Sequence, residues 1–569
     1  MVNVEQTILN KYPNIQRYPK LLTNPFTYAA KKILHQDEIN NFLSTYHTLD
    51  GFEFIEAVLE YFNFSYSISN KAKLNIPPTG RVVIVANHPL GALDALSLIS
   101  LIKEIRRDIK VIANDVLMQI PQIRNLLIPV DNIKGSSRKE QIKEVYNSLE
   151  NDEAIIIFPS GEVSRANFLG IRDSEWKRGF LKFAKKTNSP ILPVFIDAKN
   201  SNLFYAMSAC NKKLSTLFLV REMFLQKSKG VGFKVGELIP FKNIANTGFS
   251  DSVLVNLLKK HLYKISKNKK GLFPTQTSIA HPESRQEIKK ELKDSTLLGE
   301  TLDGKKIYLY EYKKGSSLMK EIGRLREVTF RRVEEGTGTK RDTDSYDSYY
   351  KHIVLWDEDA LEVVGSYRIG ESSFINEYFE HKGFYTNTLF EFEASMQEYL
   401  TNSIELGRSF VQPQYWGSRA LDYLWQGIGA YLAKNPHVRY MFGPVTLSDM
   451  YPKIAKNLIL SFFQLYFPPT EKLVSARDGF FMSRAEKEEA LGLFCGSDYK
   501  KDFRILKEQL SHIGLSVPTL YKQYAELCEE GGIAFIDFNV DKDFANCVDS
   551  FIFVDITKIK EAKRERYIK

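Results

Sequence analysis

The sequence predicts an α/β fold arranged as two α/β domains, and three observations carry that expectation. The chain has 569 residues, more than one hydrophobic core usually accommodates. Short apolar strands alternate with amphipathic helical stretches on both sides of its middle. Residues 264–285, KISKNKKGLFPTQTSIAHPESR, are lysine-rich and then rich in Gly, Pro, Ser and Thr, with no sustained apolar period. The predicted division is a domain over 1–265, a linker over 266–285 and a second domain over 286–569.

In the first domain RVVIVAN (81–87), KVIAN (110–114), EAIIIFP (153–159) and SPILPVFI (189–196) read as buried strands. Helices are expected between them over 136–149 and 176–186. In the second domain KKIYLYEY (305–312), HIVLWD (352–357), LEVVGSYRI (361–369) and NSIELGRSFV (402–411) read as strands, and 419–432 as a helix. There is no internal repeat at a fixed period.

Hydrophobic content of 43% with 26% charged residues is that of an ordinary globular protein. The longest apolar stretches, Pro89–Ile102 (broken by Asp94) and Leu458–Phe467, fall short of the roughly 20 residues that a bilayer span requires. The start, MVNVEQTILNKYPNIQ, lacks the basic-then-apolar shape of a secretory signal. Cys210, Cys495, Cys528 and Cys547 lie far apart with no CxxC pair, which predicts neither a disulfide framework nor a metal site and points to the cytoplasm.

Charge is uneven. Residues 1–280 hold 38 Lys and Arg against 24 Asp and Glu (+14), and the remainder holds 40 against 45 (−5). A basic half suits anionic headgroups, to which each nearby Lys or Arg contributes about 1 kcal/mol. The alternative is that scattered surface lysines serve solubility alone. No zinc finger, KH loop or RNA-recognition motif is present, so a membrane lipid surface, not a nucleic acid, is the expected partner. The expected location is peripheral, on the inner face of the cell membrane.

The first chemical signal is Asn87-His88-Pro89-Leu90-Gly91-Ala92-Leu93-Asp94, where a strand ends and a helix opens. Moving an acyl group onto a hydroxyl needs a base to take the proton, and histidine titrates in the right range. Asp94, in the first helical turn, is placed to fix the tautomer of His88 and to stabilise its cation. A second loop, Phe158-Pro159-Ser160-Gly161-Glu162-Val163-Ser164-Arg165, follows another strand, at the end of the sheet where α/β folds bind ligands.

Together these stretches resemble the glycerolipid (lysophospholipid) acyltransferase family, marked by N-H-x-x-x-x-D and F-P-E-G-T-R. The resemblance spans residues 70–245 and includes Leu192-Pro193-Val194. It implies His88 and Asp94 as catalytic residues, with Asn87, Pro159, Ser160, Gly161, Glu162 and Arg165 at the acceptor. The His-to-Asp spacing is one residue longer than the family's, as in its hemolysin-like branch. Ser160 stands for the family glutamate, while Val163 and Asn132 stand where relatives carry phosphate-holding arginines. That loss implies an acceptor without a glycerol phosphate, with Arg165 as a compensating cation. His352 and Asp357 match the literal spacing, but they lie in a predicted strand, on opposite faces and about 16 Å apart. That pair is expected to be structural.

The second domain carries ionisable residues in apolar settings. Arg326 and Phe330 share a helical face, Asp344 and Asp347 lie in an acidic loop, Arg368 ends a strand, and Glu405 and Arg408 sit in another. Buried charges are costly unless paired, so a site or a set of fold-holding ion pairs is expected. Gln414-Tyr415-Trp416-Gly417-Ser418-Arg419 opens a helix. It is similar to the Q-x-x-G-x-G/A loop with which the GNAT superfamily binds pyrophosphate on helix amides. The order of these motifs over 295–560 resembles the autoinducer-synthase-like branch of that superfamily, which includes the ornithine N-acyltransferases. The late stretches Val517–Tyr521 and Asp537–Val540 add to that resemblance.

The resemblance implies an acyl carrier protein or CoA thioester as donor, an amino acid as acceptor and no bound cofactor. Glu405 is then the candidate base, Arg408 or Arg368 the carboxylate holder, and Gln414, Gly417, Ser418 and Arg419 the donor-phosphate loop. The whole chain resembles the bifunctional ornithine lipid synthases. That implies N-acylation of an amino acid with a 3-hydroxyacyl chain in the second domain, then O-acylation of the N-acyl amino acid in the first. A lysophospholipid acyltransferase fused to an accessory GNAT domain is the alternative.

Overall fold

The run Val82–Ala86 is buried at every position, so it needs cover on both sides, as a central parallel strand does. In the computed structural model, which describes residues 28–113, 117–129, 136–167, 170–210, 215, 218–544 and 546–568, the chain divides after Ala280 into two compact units. Residues 1–27, Asn114, Val130–Asn132 and the side chain of Cys210 lie outside the described residues.

The first unit is built on a seven-stranded sheet in the order β1 (Ser65–Ile68), β9 (Gly230–Val235), β8 (Ile191–Asp197), β2 (Val82–Ala86), β5 (Ala154–Ile157), β3 (Ile109–Ala113) and β4 (Leu127–Pro129). All neighbours are parallel except β8 and β9. Alternate residues of β2 feed two different cores. Val82, Ile84 and Ala86 pack with α1 (Gly51–Tyr61) and α2 (Ala92–Lys103). Val83 and Val85 pack with α3 (Ser136–Glu150), α4 (Gly179–Thr187) and α6 (Asp251–Ile265). Helix α5 (Asn202–Cys210) lies beside the small hairpin of β6 (Arg165–Asn167) and β7 (Gly170–Arg172).

The segment after α6 has a linker's composition, yet it packs down. Phe273 is buried, the Leu272 and Phe273 amides donate to His261 Nδ1 at 3.0 and 3.3 Å, and Ser278 donates to the Asn75 carbonyl. A few anchors hold a strap that average composition does not reveal.

The second unit is an eight-stranded sheet in the order β10 (Thr296–Glu300), β11 (Lys306–Glu311), β12 (Lys351–Asp357), β13 (Glu362–Glu371), β15 (Ser403–Val411), β16 (Tyr440–Leu447), β19 (Cys547–Asp555) and β18 (Ile533–Asp541). A small separate sheet pairs β14 (Phe390–Phe392) with β17 (Val474–Ala476). One face of the large sheet is covered by α9 (Ala420–Lys434), α10 (Lys453–Tyr466), α11 (Tyr499–His512) and α12 (Thr519–Ala525). The other carries α8 (Ser317–Arg332), preceded in the chain by α7 (Arg285–Lys293), and the irregular segment 379–402.

Only β15 and β16 run parallel, and they pair over just Ser403–Glu405 with Tyr440–Phe442. Beyond that, β15 stays with β13 as far as Val411 and β16 stays with β19 as far as Leu447. The sheet therefore opens into a wedge. Gly443 sits at its apex, where an added Cβ would lie 2.1 Å from the Leu406 carbonyl oxygen. Gly443→Ala is expected to cost about 1–3 kcal/mol by overpacking, read as a lower denaturation midpoint. Among the described residues, no helix is long and apolar enough to cross a membrane.

Candidate active sites

At the end of β2, the Asn87 side chain donates to the Ile196 carbonyl at 2.9 Å and accepts the Ile196 amide at 2.7 Å. Asn87 was a candidate for contacting substrate; its amide instead ties β2 to β8 and sets the height of the next residue, His88. The His88 carbonyl accepts the Ser164 amide at 2.7 Å, which draws the 158–165 loop against the turn. Gly91 follows at φ +102°, a backbone that side chains rarely adopt, and α2 begins.

Asp94 is fully buried in the first turn of α2. It accepts the Leu90 amide at 2.8 Å and the Ala95 amide at 2.7 Å, and its Oδ1 lies 3.2 Å from His88 Nδ1. That contact is an ion-pair approach without hydrogen-bond alignment, as catalytic pairs often are before substrate arrives. The His88 side chain is 19% exposed, enough to present its ring edge outside, and it leans on the Phe158 ring at 4.3 Å. Burial pulls the His88 pKa down, but Asp94 and then Asp173 more than offset it and hold it above the usual histidine value.

Sequence reasoning missed Asp173. This buried carboxylate accepts the Ser164 hydroxyl at 2.6 Å, the Trp176 indole N–H at 2.9 Å and the His88 amide at 3.2 Å. Burial raises its own pKa against those hydrogen bonds. The available signal was Trp176, a buried indole that needs an acceptor within reach.

The loop residues mostly shape the loop. The Pro159 carbonyl accepts the Lys177 amide at 2.9 Å, and the Ser160 hydroxyl donates to the Glu162 carbonyl at 2.7 Å. Gly161 takes a left-handed turn at φ +66°. Arg165 is 3.3 Å from Glu162 and donates to Ser215 at 2.9 Å and to Ser208. Its guanidinium is thus matched by a carboxylate and two hydroxyls. Asn132, the other half of the phosphate argument, lies outside the described residues.

In the second unit the charged motifs converge under the wedge. Asp347 Oδ1 accepts from Arg326 at 2.8 Å and from Arg368 at 3.1 Å, and Arg368 also donates to Asp344 at 2.7 Å. Asp344 and Asp347 cap each other's amides. Burial would raise the Asp347 pKa, but Arg326 and Arg368 outweigh it and hold the carboxyl far below the usual range. Phe330, one turn beyond Arg326, packs edge-on against Phe544 at 5.3 Å. His352 completes the network 3.4 Å from Arg326 and is neutral, burial pushing its pKa down to about 4. Asp357 pairs with Lys305 at 3.4 Å, so the two residues of the His352–Asp357 decoy serve different places.

Glu405 is buried at the last shared rung of β15 and β16. It accepts the Thr386 amide at 2.6 Å, the Thr386 hydroxyl and the Tyr350 hydroxyl. Burial raises its pKa, opposed by those donors. The predicted base is therefore capped, and it staples the 384–388 segment to the sheet. Neither Tyr350 nor Thr386 carried a sequence signal.

Arg408 is different from Arg368. A bulge between Ser366 and Arg368 inserts an extra residue into β15, and Arg408 adopts φ +48° there, a strained backbone for a non-glycine. Its contacts with Asp342 and Asp344 are both 3.6 Å long, against the 2.7 and 3.1 Å bonds of Arg368, and its Nε, like that of Arg368, has no hydrogen-bond partner. The guanidinium lies between the Tyr385 and Phe544 rings at 4.8 and 5.0 Å. Of the two candidate carboxylate holders, Arg368 is engaged and Arg408 is available.

At the end of β15, Gln414 donates to Glu362 at 2.6 Å. Gly417 turns at φ +77°, and the Ser418 hydroxyl bonds the Tyr415 carbonyl at 2.6 Å while accepting the Ala420 amide. Arg419 precedes the 15-residue α9, half exposed and 3.5 Å from Asp422. Free helix amides and a cation thus stand together at the β15 side of the wedge. No group of side chains able to hold a metal is found among the described residues.

Residues 8–270 match the acyltransferase family, and residues 325–426 match the acetyltransferase (GNAT) domain. The chain is 32% identical over 305 residues to a glycine N(alpha)-acyltransferase of Bacteroides thetaiotaomicron, covering 51% of this chain and 89% of that protein. It is 31% identical over 250 residues to a lyso-glycine lipid O-acyltransferase of the same organism, covering 42% of this chain and 89% of that protein. An L-ornithine N(alpha)-acyltransferase of Agrobacterium fabrum is 31% identical over 144 residues, covering 24% of this chain and 47% of that protein.

Proposed function

Because this chain belongs to the acyl-amino-acid lipid acyltransferases, we propose that it builds a diacylated amino-acid lipid in two consecutive transfers. The second unit N-acylates an amino acid with a 3-hydroxyacyl chain. The first unit then O-acylates the hydroxyl so delivered. The observation that carries this reading is the pairing in one chain of likenesses to both a glycine N(alpha)-acyltransferase and a lyso-glycine lipid O-acyltransferase. Glycine is accordingly the first amino acid to test.

The chemistry of each site supports the order. N-acylation yields a free hydroxyl with no phosphate. The Arg165 guanidinium, already balanced by Glu162, adds little surplus charge for a phosphate and is compatible with such an acceptor. In the first unit His88 takes the hydroxyl proton as the oxygen attacks the thioester carbonyl, and Asp94 stabilises the imidazolium. In the second, the strand edges exposed in the wedge offer backbone partners to the amides of a phosphopantetheine arm. The α9 amides and Arg419 receive its phosphate, and Arg408 holds the amino-acid carboxylate through its fork of donors. An acyl carrier protein is the proposed donor carrier, and the inner membrane surface is the place of work. One chain keeps the sparingly soluble intermediate near both sites at raised effective concentration.

The purified chain, given glycine with 3-hydroxyacyl and then acyl carrier-protein thioesters, is expected to form first an N-acyl and then a diacyl glycine, followed by mass spectrometry. Acylation of lysophosphatidate in place of the N-acyl amino acid overturns the proposed acceptor and favours the glycerolipid alternative.

A further inference from the structure

One buried carboxylate of the second unit is not used by any step above. Asp549 of β19 stands opposite Thr446 of β16 and Asn539 of β18. Its neighbours Val548 and Ser550 turn to the helical face, the first into the core and the second onto Tyr521. Asp549 therefore faces the other way, together with Phe551, onto the face that carries Glu405 and Arg408.

Its position along the wedge matters. Thr446 and Asp549 form a rung four residues beyond Phe442, the last residue of β16 that pairs with β15. At about 3.3 Å per residue that is about 13 Å into the opening. Arg408 lies three residues beyond Glu405 on the other arm. The β15 arm thus presents the Arg408 cation, and one strand behind the β16 arm, on the same face, lies Asp549, whose carboxyl feels the Arg408 charge.

Asp549 is also poorly compensated for so deep a carboxylate. It is 2% exposed, and the hydrogen bond to its Oδ1 comes from the neutral hydroxyl of Thr446 at 2.6 Å. The charges around it are Asp541 of β18, Glu335 just after α8 and Arg408. The phenols of Tyr385 and Tyr521 and the thiol of Cys547 feel its field. Burial and Asp541 push its pKa up to about 7, against Thr446 and Arg408. Glu335 is pushed up to about 8 by burial and by Asp549 itself. Arg326, Arg368 and Asp347 show how this fold compensates a structural charge, with two bonded partners. Asp549 has the surroundings of a proton acceptor instead.

We propose that Asp549 is the catalytic base of the N-acyl transfer, binding the ammonium end of the amino acid whose carboxylate Arg408 holds. This rests on the reading of the second unit as an amino-acid N-acyltransferase. The ammonium gives one proton to Asp549, and the nitrogen lone pair forms the N–C bond at the thioester carbonyl. The C–S bond breaks, the nitrogen's second proton goes to the departing thiolate, and Asp549 returns its proton to solvent. Glu405, its oxygens taken by Thr386 and Tyr350, positions the wall of the site.

The test uses the purified full chain with a 3-hydroxyacyl carrier-protein thioester and varied glycine, measuring N-acyl product across pH 5–9. Asp549→Asn keeps an acceptor for Thr446 and removes a buried charge, so its melting temperature at pH 8 is expected to be no lower than that of the wild type. Its kcat is expected to fall about 10²-fold or more and to lose the rise with pH, centred near 7, that is expected of the wild type. Asp549→Glu is expected to restore part of the rate, and Glu405→Gln to retain the rise with pH. An Asp549→Asn rate within a few-fold of wild type, with the pH profile unchanged, overturns the assignment while leaving the N-acyltransferase reading intact. A wild-type chain that forms no N-acyl amino acid overturns both.

Discussion

Replacing His88 with alanine is expected to leave an enzyme that starts the lipid and cannot finish it. Loss of a positioned base typically costs about 10²–10⁴-fold in rate. The monoacylated amino acid should therefore accumulate in an expressing cell, while the diacylated lipid falls below detection by mass spectrometry. His88→Ala leaves the Asn87 side-chain anchor and the Ser164 backbone anchor in place, so the fold is expected to persist. The pH profile adds a sharper criterion. The imidazole accepts a proton only when neutral, and Asp94 at 3.2 Å raises its pKa. O-acylation by the wild type should therefore climb with pH through a midpoint above the ordinary histidine value of about 6.5. Asp94→Asn removes the charge that raises it, so the midpoint should move down as the maximal rate falls. An unaltered midpoint in that variant would count against Asp94 as the partner of His88.

The largest stability effect is expected at Asp347. Its Oδ1 is the meeting point of two buried guanidiniums, Arg326 at 2.8 Å and Arg368 at 3.1 Å. Removing one partner of a buried ion pair costs about 3–5 kcal/mol, because the other charge stays behind without water. Asp347→Ala leaves Arg326 without a carboxylate, while Arg368 keeps only Asp344 at 2.7 Å. A much lower denaturant midpoint is expected, with loss of N-acyl transfer, and an unchanged midpoint refutes the argument. The pair also has a pH signature. Because the folded pKa is depressed, its contribution is fully present above the ordinary aspartate value of about 3.9 and is lost as pH falls through the folded value. Wild-type stability should therefore decline only below about pH 4 on this account, and the variant should lack that part of the acid slope.

Much of the architecture was legible because the strands announce themselves. Val82–Ala86, Ala154–Ile157 and Ile191–Asp197 appear within two residues of the positions their apolar runs indicate. His88 and Asp94 were legible as a pair for a different reason: a strand end and a helix start separated by a short turn leave little freedom in where two side chains go. The second unit was harder. Arg326, Asp347 and Arg368 lie 21 residues apart or more by successive steps, and their meeting depends on strand register, which side-chain patterning does not encode across such distances. Glu405 looked like a free base because sequence shows its charge and hides Tyr350 and Thr386, which close over it. Asp173 and Asp549 were invisible for a related reason. Each is a lone acid whose role comes from what burial removes around it, with no spacing rule to mark it.

The brief parallel contact of β15 with β16 has a mechanical consequence. Three rungs join the five strands that end with β15 to β16 and the two strands beyond it, so the sheet of the second unit consists of two leaves joined by a short stretch of strand pairing and by the helices packed on one face. On the proposed donor, a carrier arm that hydrogen-bonds to both leaves would act as the missing length of strand between them. Amide hydrogen exchange along Leu406–Val411 and Gly443–Leu447 should then slow when a carrier thioester is loaded, and it should quicken again when the carrier departs. Turnover in this picture is a cycle of completing and breaking a sheet.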